Sequence, residues 1–200
     1  FEDESFWIET YPFMFSEKRF EAAVGEVEKI LQRINAKFII VGEGYLKDKL
    51  MKEAWDLGLG QRTYFTGFLS DKTVRYLYRA ADVFVAPSLY EPFGIVALEA
   101  MAAKTPVVVS GVGGLSEIVE HEKTGVVVYP NNPDSLAWGI IRMLNNKMYS
   151  EKIRDNAFQM ILNKYQWDNI ASKTMNFYQG ILEEYGKGQW KSTLEFPNNL

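Results

Sequence analysis

Residues 82–114 contain the sequence that decides the fold, DVFVAPSLYEPFGIVALEAMAAKTPVVVSGVGG. It includes two apolar runs rich in β-branched residues, Val83–Ala86 and Val107–Val109. Continuous runs of this kind are typical of parallel strands that are covered on both faces. The segment Ile95–Ala103 between them is apolar all round, which predicts a buried helix. The stretch therefore predicts a strand–helix–strand unit with a right-handed crossover.

The same alternation extends to both sides of this unit. Further strands are predicted at Phe38–Val41, Thr63–Thr66 and Val126–Val128, with helical stripes of apolar residues between strands. Ser70 is the expected N-cap of one of these helices. Three more helical stripes follow Pro133, a residue that suits the first turn of a helix. We therefore expect a doubly wound, Rossmann-like parallel α/β sheet with extra C-terminal helices.

The two ends of the chain are harder to assign. The topology needs a first strand within the first fifteen residues, which are aromatic, but Pro12 argues against a central strand there. Residues from Gly186 onward are rich in Gly, Lys, Gln, Pro and Asn, a composition typical of a loosely held tail. We expect one domain over residues 1–185 and a loosely ordered tail over residues 186–200.

Composition excludes several classes of protein. The 200 residues are 47% hydrophobic and 24% charged, which is typical of a globular chain with its own core. There is no cysteine and only one histidine, which excludes a disulfide framework, a thiolate zinc site and a histidine pair. The net charge of −4 argues against a nucleic-acid binder. No apolar run reaches the ~20 residues of a membrane span, and the acidic start lacks signal-peptide features. We therefore expect a cytoplasmic protein, and the missing initial methionine predicts a fragment of a longer one.

Three loops follow predicted strands and precede helices, at the edge where parallel sheets bind ligands. They are Gly42–Gly44, Pro87–Gly94 and Ser110–Gly114. Glycines let the backbone approach a ligand closely, and the N–H groups of the next helix can hold phosphate. For the first loop alone we prefer a tight turn without a ligand. Ligand contact is favoured at Gly94 and at Gly111–Gly114, because these two loops are expected side by side.

Two glutamates, Glu91 and Glu99, are separated by seven residues. Glu99 lies in the apolar helix, where a lone carboxylate needs a partner, and sugar hydroxyls are good partners. Glu91 precedes the helix and could meet a second part of the same ligand. Alternatively, Glu99 faces a solvated gap and Glu91 interacts only with the helix N-terminus. The residues themselves leave both interpretations open.

Other prominent side chains are assigned to structure. His121 lies in a polar turn and is expected at the surface. Trp55, Trp138 and Trp167 fall within or beside helical stripes, which favours core packing over carbohydrate stacking.

The sequence resembles the C-terminal, nucleotide-binding half of a retaining glycosyltransferase with the GT-B fold. The resemblance is closest to the glycogen synthase and sucrose synthase-like group, glycosyltransferase family four, and to bacterial and archaeal glycogen or starch synthases. It covers roughly residues 17–185 and is specific for the superfamily rather than for the sugar. The segments that carry it are Pro87–Ala102 with its paired glutamates, Pro106–Val108, Val112–Val119 and Thr124–Gly125.

The resemblance implies a role for each residue of these motifs. Glu91 would contact hydroxyls of the donor sugar, and Glu99 would hold the ribose hydroxyls of the nucleotide. Phe68 would lie near the base, and Gly113 and Gly114 would line the sugar side. The backbone amides that would face the donor phosphates belong to Gly94, Ile95 and Val96.

The resemblance also implies a cation beside the donor diphosphate. Lys18 aligns with the family's lysine and is assigned, with Glu91, to catalysis. Pro12 and Phe13 stand where the family has Gly-Arg, and Arg19 replaces the glycine after the lysine. Arg19 could substitute for the missing guanidinium, or Lys18 and Arg19 could form only a solvated helix start. The sequence has no Asp-x-Asp motif, so we expect a metal-independent transferase without a cofactor, in which helix N-termini and cations stabilise the leaving diphosphate.

The leading hypothesis is the donor-binding domain of a retaining hexosyltransferase that uses ADP- or UDP-glucose and extends an α-glucan. Its partners would be the nucleotide sugar and, through an N-terminal domain that this chain lacks, an α-glucan or another saccharide acceptor. Without that domain we expect no efficient transfer. The alternatives are a non-catalytic nucleotide-sugar-binding domain, a transferase for another sugar and acceptor, a sugar-nucleotide epimerase, and an interaction module with a vestigial cleft.

Overall fold

The computed structural model describes the backbone of Glu4–Glu9 and all of Ala36–Gly188. Within these residues, six strands form one sheet in which every pair of neighbours is parallel. The strands are β1 (Glu4–Glu9), β2 (Ala36–Val41), β3 (Thr63–Gly67), β4 (Val83–Ala86), β5 (Val107–Ser110) and β6 (Val126–Val128). Their order across the sheet is β3-β2-β1-β4-β5-β6. This is the doubly wound Rossmann order, which confirms the predicted fold class.

Helices follow every described strand from β2 onward. They are α1 (Lys47–Asp56), α2 (Asp71–Ala80), α3 (Ile95–Ala102), α4 (Gly113–Ile118), α5 (Pro133–Asn145), α6 (Lys147–Lys164) and α7 (Trp167–Gly186). The first four alternate with strands, as a parallel sheet requires. The last three follow β6 in succession, which confirms the predicted extra C-terminal helices.

The strands lie where the apolar runs predicted them. β4 and β6 have the predicted bounds, and β2, β3 and β5 are longer by one or two residues at one end. β1, however, lies at the centre of the sheet, where Phe6 pairs in register with Phe38 of β2 and Val83 of β4. The first strand that the topology needs is therefore present and central, and the argument from Pro12 does not apply to it. The strand ends at Glu9, before Pro12, and a proline restricts only the strand that it occupies.

Both faces of the sheet are covered, which explains the continuous apolar runs. β4 and β5 are buried along their whole length. Val83 and Val85 belong to a buried cluster on one face, together with Ile140 of α5. Phe84, between them in sequence, contacts Tyr78 of α2 edge-on, with 5.5 Å between ring centroids. Alternate residues of one strand thus pack against helices on opposite faces.

Two helix starts confirm the local sequence signals. The Ser70 hydroxyl accepts a hydrogen bond from the Thr73 amide at 3.4 Å, as expected of an N-cap. Pro133 occupies the first turn of α5, and the Asn132 side chain accepts from the Ser135 amide at 2.9 Å. These caps set where α2 and α5 begin, and hence where the preceding loops end.

The prediction that three tryptophans pack in the core is wrong. Trp55, Trp138 and Trp167 are 66%, 44% and 82% exposed. The inward side of α1 and α5 is filled by smaller neighbours of these rings, including the buried Ala54 and Ala137. A tryptophan one residue further along a helix is rotated by about 100° and leaves the core-facing stripe.

The chain divides into two compact units, Phe1–Ile161 and Leu162–Leu200. In the second unit, the Asn169 side chain donates to the Leu162 carbonyl at 3.2 Å before α7 continues to Gly186. Most of the tail predicted from Gly186 lies outside the described residues, so that boundary stays a prediction. In the described part of the chain, no helix combines the length and apolar character needed to cross a membrane.

Candidate functional site

Two predicted ligand loops come together at the carboxyl edge of the sheet. The Gly114 amide, at the start of α4, donates to the Glu91 carbonyl at 2.9 Å. A Cβ added to Gly113 would lie 2.2 Å from the Glu91 carbonyl oxygen, and one added to Gly114 would lie 2.2 Å from that of Phe93. Only glycine permits this approach, because both distances are far below any ordinary carbon–oxygen contact. The structure thus places Glu91, Gly94, Gly113 and Gly114 in one compact arrangement.

Glu91 uses its side chain to hold the loop that precedes α3. One carboxylate oxygen accepts from the Gly94 amide at 3.0 Å and from the Phe93 amide at 3.4 Å. Gly94 is the N-cap of α3 and has φ of +90°, a conformation that favours glycine. The helix N-terminus therefore already holds an anion, the carboxylate of the chain itself.

The residues after Gly94 divide between solvent and core. The Ile95 side chain is 56% exposed, whereas that of Val96 is buried. Val96, Ala97, Ala100 and Met101 fix the inner face of α3 against the rest of the domain. The expectation of a helix buried all round is wrong for its outer face, which carries Glu99 into solvent.

Glu99 lies in a cleft between α2 and α3. The cleft has a volume of about 390 Å³, and its polar lining includes Asp71, Arg75, Tyr78 and Arg79 from α2. One Glu99 oxygen accepts from the Tyr78 hydroxyl at 3.3 Å. The carboxylate is thus exposed and has Tyr78 as a hydrogen-bond partner. The cleft is the solvated gap that the sequence offered as one of two interpretations.

Phe68 follows β3 at the same edge of the sheet and is 82% exposed. Gly67 before it has φ of +70°, and its carbonyl accepts from the Gly42 amide at 3.1 Å. This bond joins the loops after β2 and β3. The aromatic ring has no role in the core and is available to a ligand at this edge.

The remaining predictions for the site have different outcomes. Lys18 and Arg19, with Pro12 and Phe13, lie outside the described residues. His121 is exposed, as predicted, and its Nδ1 accepts from the Val127 amide at 3.0 Å. Among the described residues, no group of three or more His, Cys, Asp or Glu side chains is arranged to hold a metal ion.

Sequence reasoning missed the α2 side of the Glu99 cleft. The sequence did not single out Tyr78 or Arg75 as a residue of the site. Their positions relative to Glu99 depend on how α2 and α3 pack, which links residues more than twenty positions apart in sequence. A buried tyrosine needs a partner for its hydroxyl, and that rule was the one signal that could have pointed to the pair.

Comparison with known proteins supports one family. The family described as "Glycosyl transferases group 1" matches residues 10–160. An uncharacterized glycosyltransferase of Methanocaldococcus jannaschii is 50% identical over 171 residues, which are 86% of this chain and 44% of that protein. A glycogen synthase of Mycobacterium tuberculosis is 37% identical over 139 residues, which are 70% of this chain and 34% of that protein. The chain thus spans less than half the length of these relatives.

A solved structure shows the same fold. A mutant of S. aureus TarM, in complex with fondaparinux, α-GlcNAc-glycerol and UDP, superimposes with a TM-score of 0.76 and 27% identity. The match covers 87% of this chain and 35% of TarM. Such neighbours are GT-B glycosyltransferases, and the relatives act on varied sugars. The chain therefore belongs to the glycosyl transferases of group 1.

Proposed function

We propose that this chain is the donor-binding domain of a retaining glycosyltransferase, and that its donor is ADP- or UDP-glucose. The observation that carries the proposal is the joint placement of Glu91, Gly94, Gly113 and Gly114 at the carboxyl edge of the sheet. Edges of this kind bind nucleotides in doubly wound sheets. UDP is bound in the TarM structure, and this supports a uridine nucleotide as the donor of this chain.

The donor diphosphate binds at the N-terminus of α3. Amides at this position hold phosphate through hydrogen bonds and the helix dipole. Without a ligand, the Gly94 amide is bound by the Glu91 carboxylate at 3.0 Å. A phosphate oxygen takes over this bond, and Glu91 then turns to the hydroxyls of the donor sugar. One exchange accounts for both the amide role of Gly94 and the sugar role of Glu91.

The nucleoside binds further along the same helix. Glu99 is five residues after Gly94, which is about 7.5 Å along the helix axis. A carboxylate accepts hydrogen bonds only, so its ligand must supply donors such as the ribose hydroxyls. Phe68 contributes an exposed aromatic face for the base at the neighbouring strand end.

Transfer requires the rest of the enzyme. The bond from the anomeric carbon to the diphosphate oxygen breaks, and a bond from that carbon to an acceptor oxygen forms with retained configuration. The acceptor hydroxyl loses its proton, and the nucleoside diphosphate leaves as an anion. Lys18 stabilises that anion together with the α3 N-terminus, and no metal is required. In this proposal the acceptor binds an N-terminal domain, as the resemblance implies, and the chain itself spans less than half the length of its relatives.

The acceptor we propose is an α-glucan, which the glycogen synthase relative supports. A transferase for another sugar and acceptor is the second candidate, because TarM was captured with α-GlcNAc-glycerol. A non-catalytic nucleotide-sugar-binding domain is the third, favoured by Pro12 and Phe13 where the family has its Gly-Arg pair. Transfer by the full-length protein separates the third candidate from the other two.

The test is calorimetric titration of the chain with ADP, UDP, ADP-glucose and UDP-glucose. We expect one nucleotide family to bind, and Glu99→Gln to weaken it at least about tenfold, since a hydrogen bond to a charged group contributes about 1.5–3 kcal/mol. Glu183→Gln, an exposed glutamate of α7, is the matched control and should bind as the wild type does. No binding at millimolar nucleotide would contradict the proposal and favour an interaction module.

A further inference from the structure

We propose that Tyr78 is a positioning residue that orients Glu99 toward the vicinal hydroxyls of ribose. This inference rests on the proposed function, in which Glu99 binds the ribose. Tyr78 acts through Glu99 and does not itself need to touch the ligand.

Tyr78 is held rigidly on three sides. Its side chain is only 1% exposed, and its ring packs edge-on against Phe84 of β4. Its backbone carbonyl accepts from the hydroxyl of Thr105, a residue that is also 1% exposed. The hydroxyl of this fixed ring donates to Glu99 at 3.3 Å. A buried phenol in one defined position is therefore aimed at the carboxylate.

Glu99 needs such an anchor because it is exposed on the outer face of α3. A glutamate in solvent samples several rotamers, and ordering it costs conformational entropy when a ligand binds. In the part of the chain that the structure describes, Tyr78 is the one group that donates to this carboxylate. The contact orders one oxygen of Glu99, a residue that lines the cleft, before the ligand arrives, and it leaves the second oxygen to accept from a ligand.

The chemistry of the phenol hydroxyl explains why a tyrosine suits this position. Arg75 and Arg79 also line the cleft, and either guanidinium in the same place would neutralise Glu99 and occupy both of its oxygens. The Tyr78 hydroxyl is neutral and supplies one donor. The Glu99 carboxylate therefore keeps lone pairs that can accept hydrogen bonds from two adjacent ribose hydroxyls.

The test compares nucleotides with and without those hydroxyls. We would titrate ADP, UDP and their 2′,3′-dideoxy analogues into the wild type, Tyr78→Phe, Glu99→Gln and the double variant. We expect Tyr78→Phe to weaken the ribonucleotide that binds by about three- to tenfold, the effect of one modest hydrogen bond. The dideoxy analogue should bind Tyr78→Phe as it binds the wild type. In the Glu99→Gln background, Tyr78→Phe should have no further effect.

Tyr76→Phe is the matched control. It also removes a tyrosine hydroxyl, but Tyr76 lies two residues before Tyr78 and its side chain is 61% exposed. It should bind both nucleotides as the wild type does. Equal weakening of the ribonucleotide and its dideoxy analogue by Tyr78→Phe would overturn the inference, since a merely structural role does not distinguish them. Additive losses in the double variant would also overturn it.

The two proposals fail in different ways. A wild-type chain that binds no nucleotide contradicts the proposed function and the inference together. A wild-type chain that binds ribonucleotides and dideoxy analogues equally keeps the nucleotide site but removes the ribose role of Glu99, and the inference about Tyr78 falls with that role. A wild type that prefers ribonucleotides, loses that preference with Glu99→Gln and keeps it with Tyr78→Phe overturns only the inference about Tyr78.

Discussion

Gly114→Ala tests the contact between the two ligand loops. Its Cβ would lie 2.2 Å from the Phe93 carbonyl oxygen and 2.5 Å from the Phe93 carbonyl carbon. Both are backbone atoms, so no side chain can rotate away. To reach even 3.0 Å, the two backbones must separate by about 0.8 Å, a clash of the kind that overpacked cores relieve by backbone shifts. The change therefore moves the loop that contains Glu91 and Gly94.

The expected loss of stability follows from three terms. Overpacking costs about 1–3 kcal/mol. The bond from the Gly114 amide to the Glu91 carbonyl, now 2.9 Å long, contributes about 1 kcal/mol and is lost or weakened. Alanine returns at most about 1 kcal/mol through its better helix propensity. We expect a net decrease of about 1–3 kcal/mol in the free energy of unfolding.

Urea unfolding and nucleotide titration measure the two consequences. Displacement of the Gly94 amide by nearly 1 Å should weaken nucleotide binding about tenfold or more. Misplacement of a group by about 1 Å can lower an enzyme's rate about a hundredfold. Gly180→Ala in α7 is the control, because a Cβ there meets no atom within 4 Å. Wild-type stability and affinity in Gly114→Ala would refute the loop contact. Lost stability with full affinity would show that the contact serves the fold and not the ligand.

Four further substitutions test the fold and the binding of the base. Gly139→Ala should lower the free energy of unfolding by about 1–2 kcal/mol, because its Cβ would lie 2.9–3.1 Å from three valine methyl groups of the sheet. The same substitution at Gly180 should raise it by about 0.5–1 kcal/mol, and urea titration of the pair checks the opposite signs. Ser70→Ala should cost about 1 kcal/mol through loss of the α2 N-cap, and equal urea midpoints would contradict this. Phe68→Ala should leave stability within about 0.5 kcal/mol, since the ring is 82% exposed, yet weaken nucleotide binding about fivefold in calorimetry.

Most of the fold could be predicted because its signals are local. The valine-rich runs of β4 and β5 are buried on both faces, and such strands need no partner to be recognised. The caps at Ser70 and Pro133 depend on residues within one turn of helix. β1 was the exception, since its place at the centre comes from pairing with β2 and β4 and not from its own composition.

The candidate site was predictable at its two glycine-containing loops and not at the cleft that contains Glu99. The sequence predicted that the loops with Gly94 and with Gly111–Gly114 lie side by side, and the close approach of Gly113 and Gly114 to the loop of Glu91 and Phe93 confirms this. The solvent exposure of Glu99 could not be derived, because an apolar helix of eight residues gives little sign of which side faces out. Tyr78 reaches Glu99 from another helix, and no local pattern encodes that distance.

One short helix serves both ends of the proposed donor. α3 presents the Gly94 amide at its start and Glu99 just over one turn later, so in the proposed function phosphate and ribose bind to the same helix. Val96, Ala97, Ala100 and Met101 bury its other side, and a shift of the helix would move both contacts together. The packing beneath α3 therefore sets the positions of both contacts. A substitution that loosens the packing of this face should weaken the binding of nucleotides and of nucleotide sugars alike. A substitution at Glu91 should chiefly weaken the binding of the nucleotide sugar.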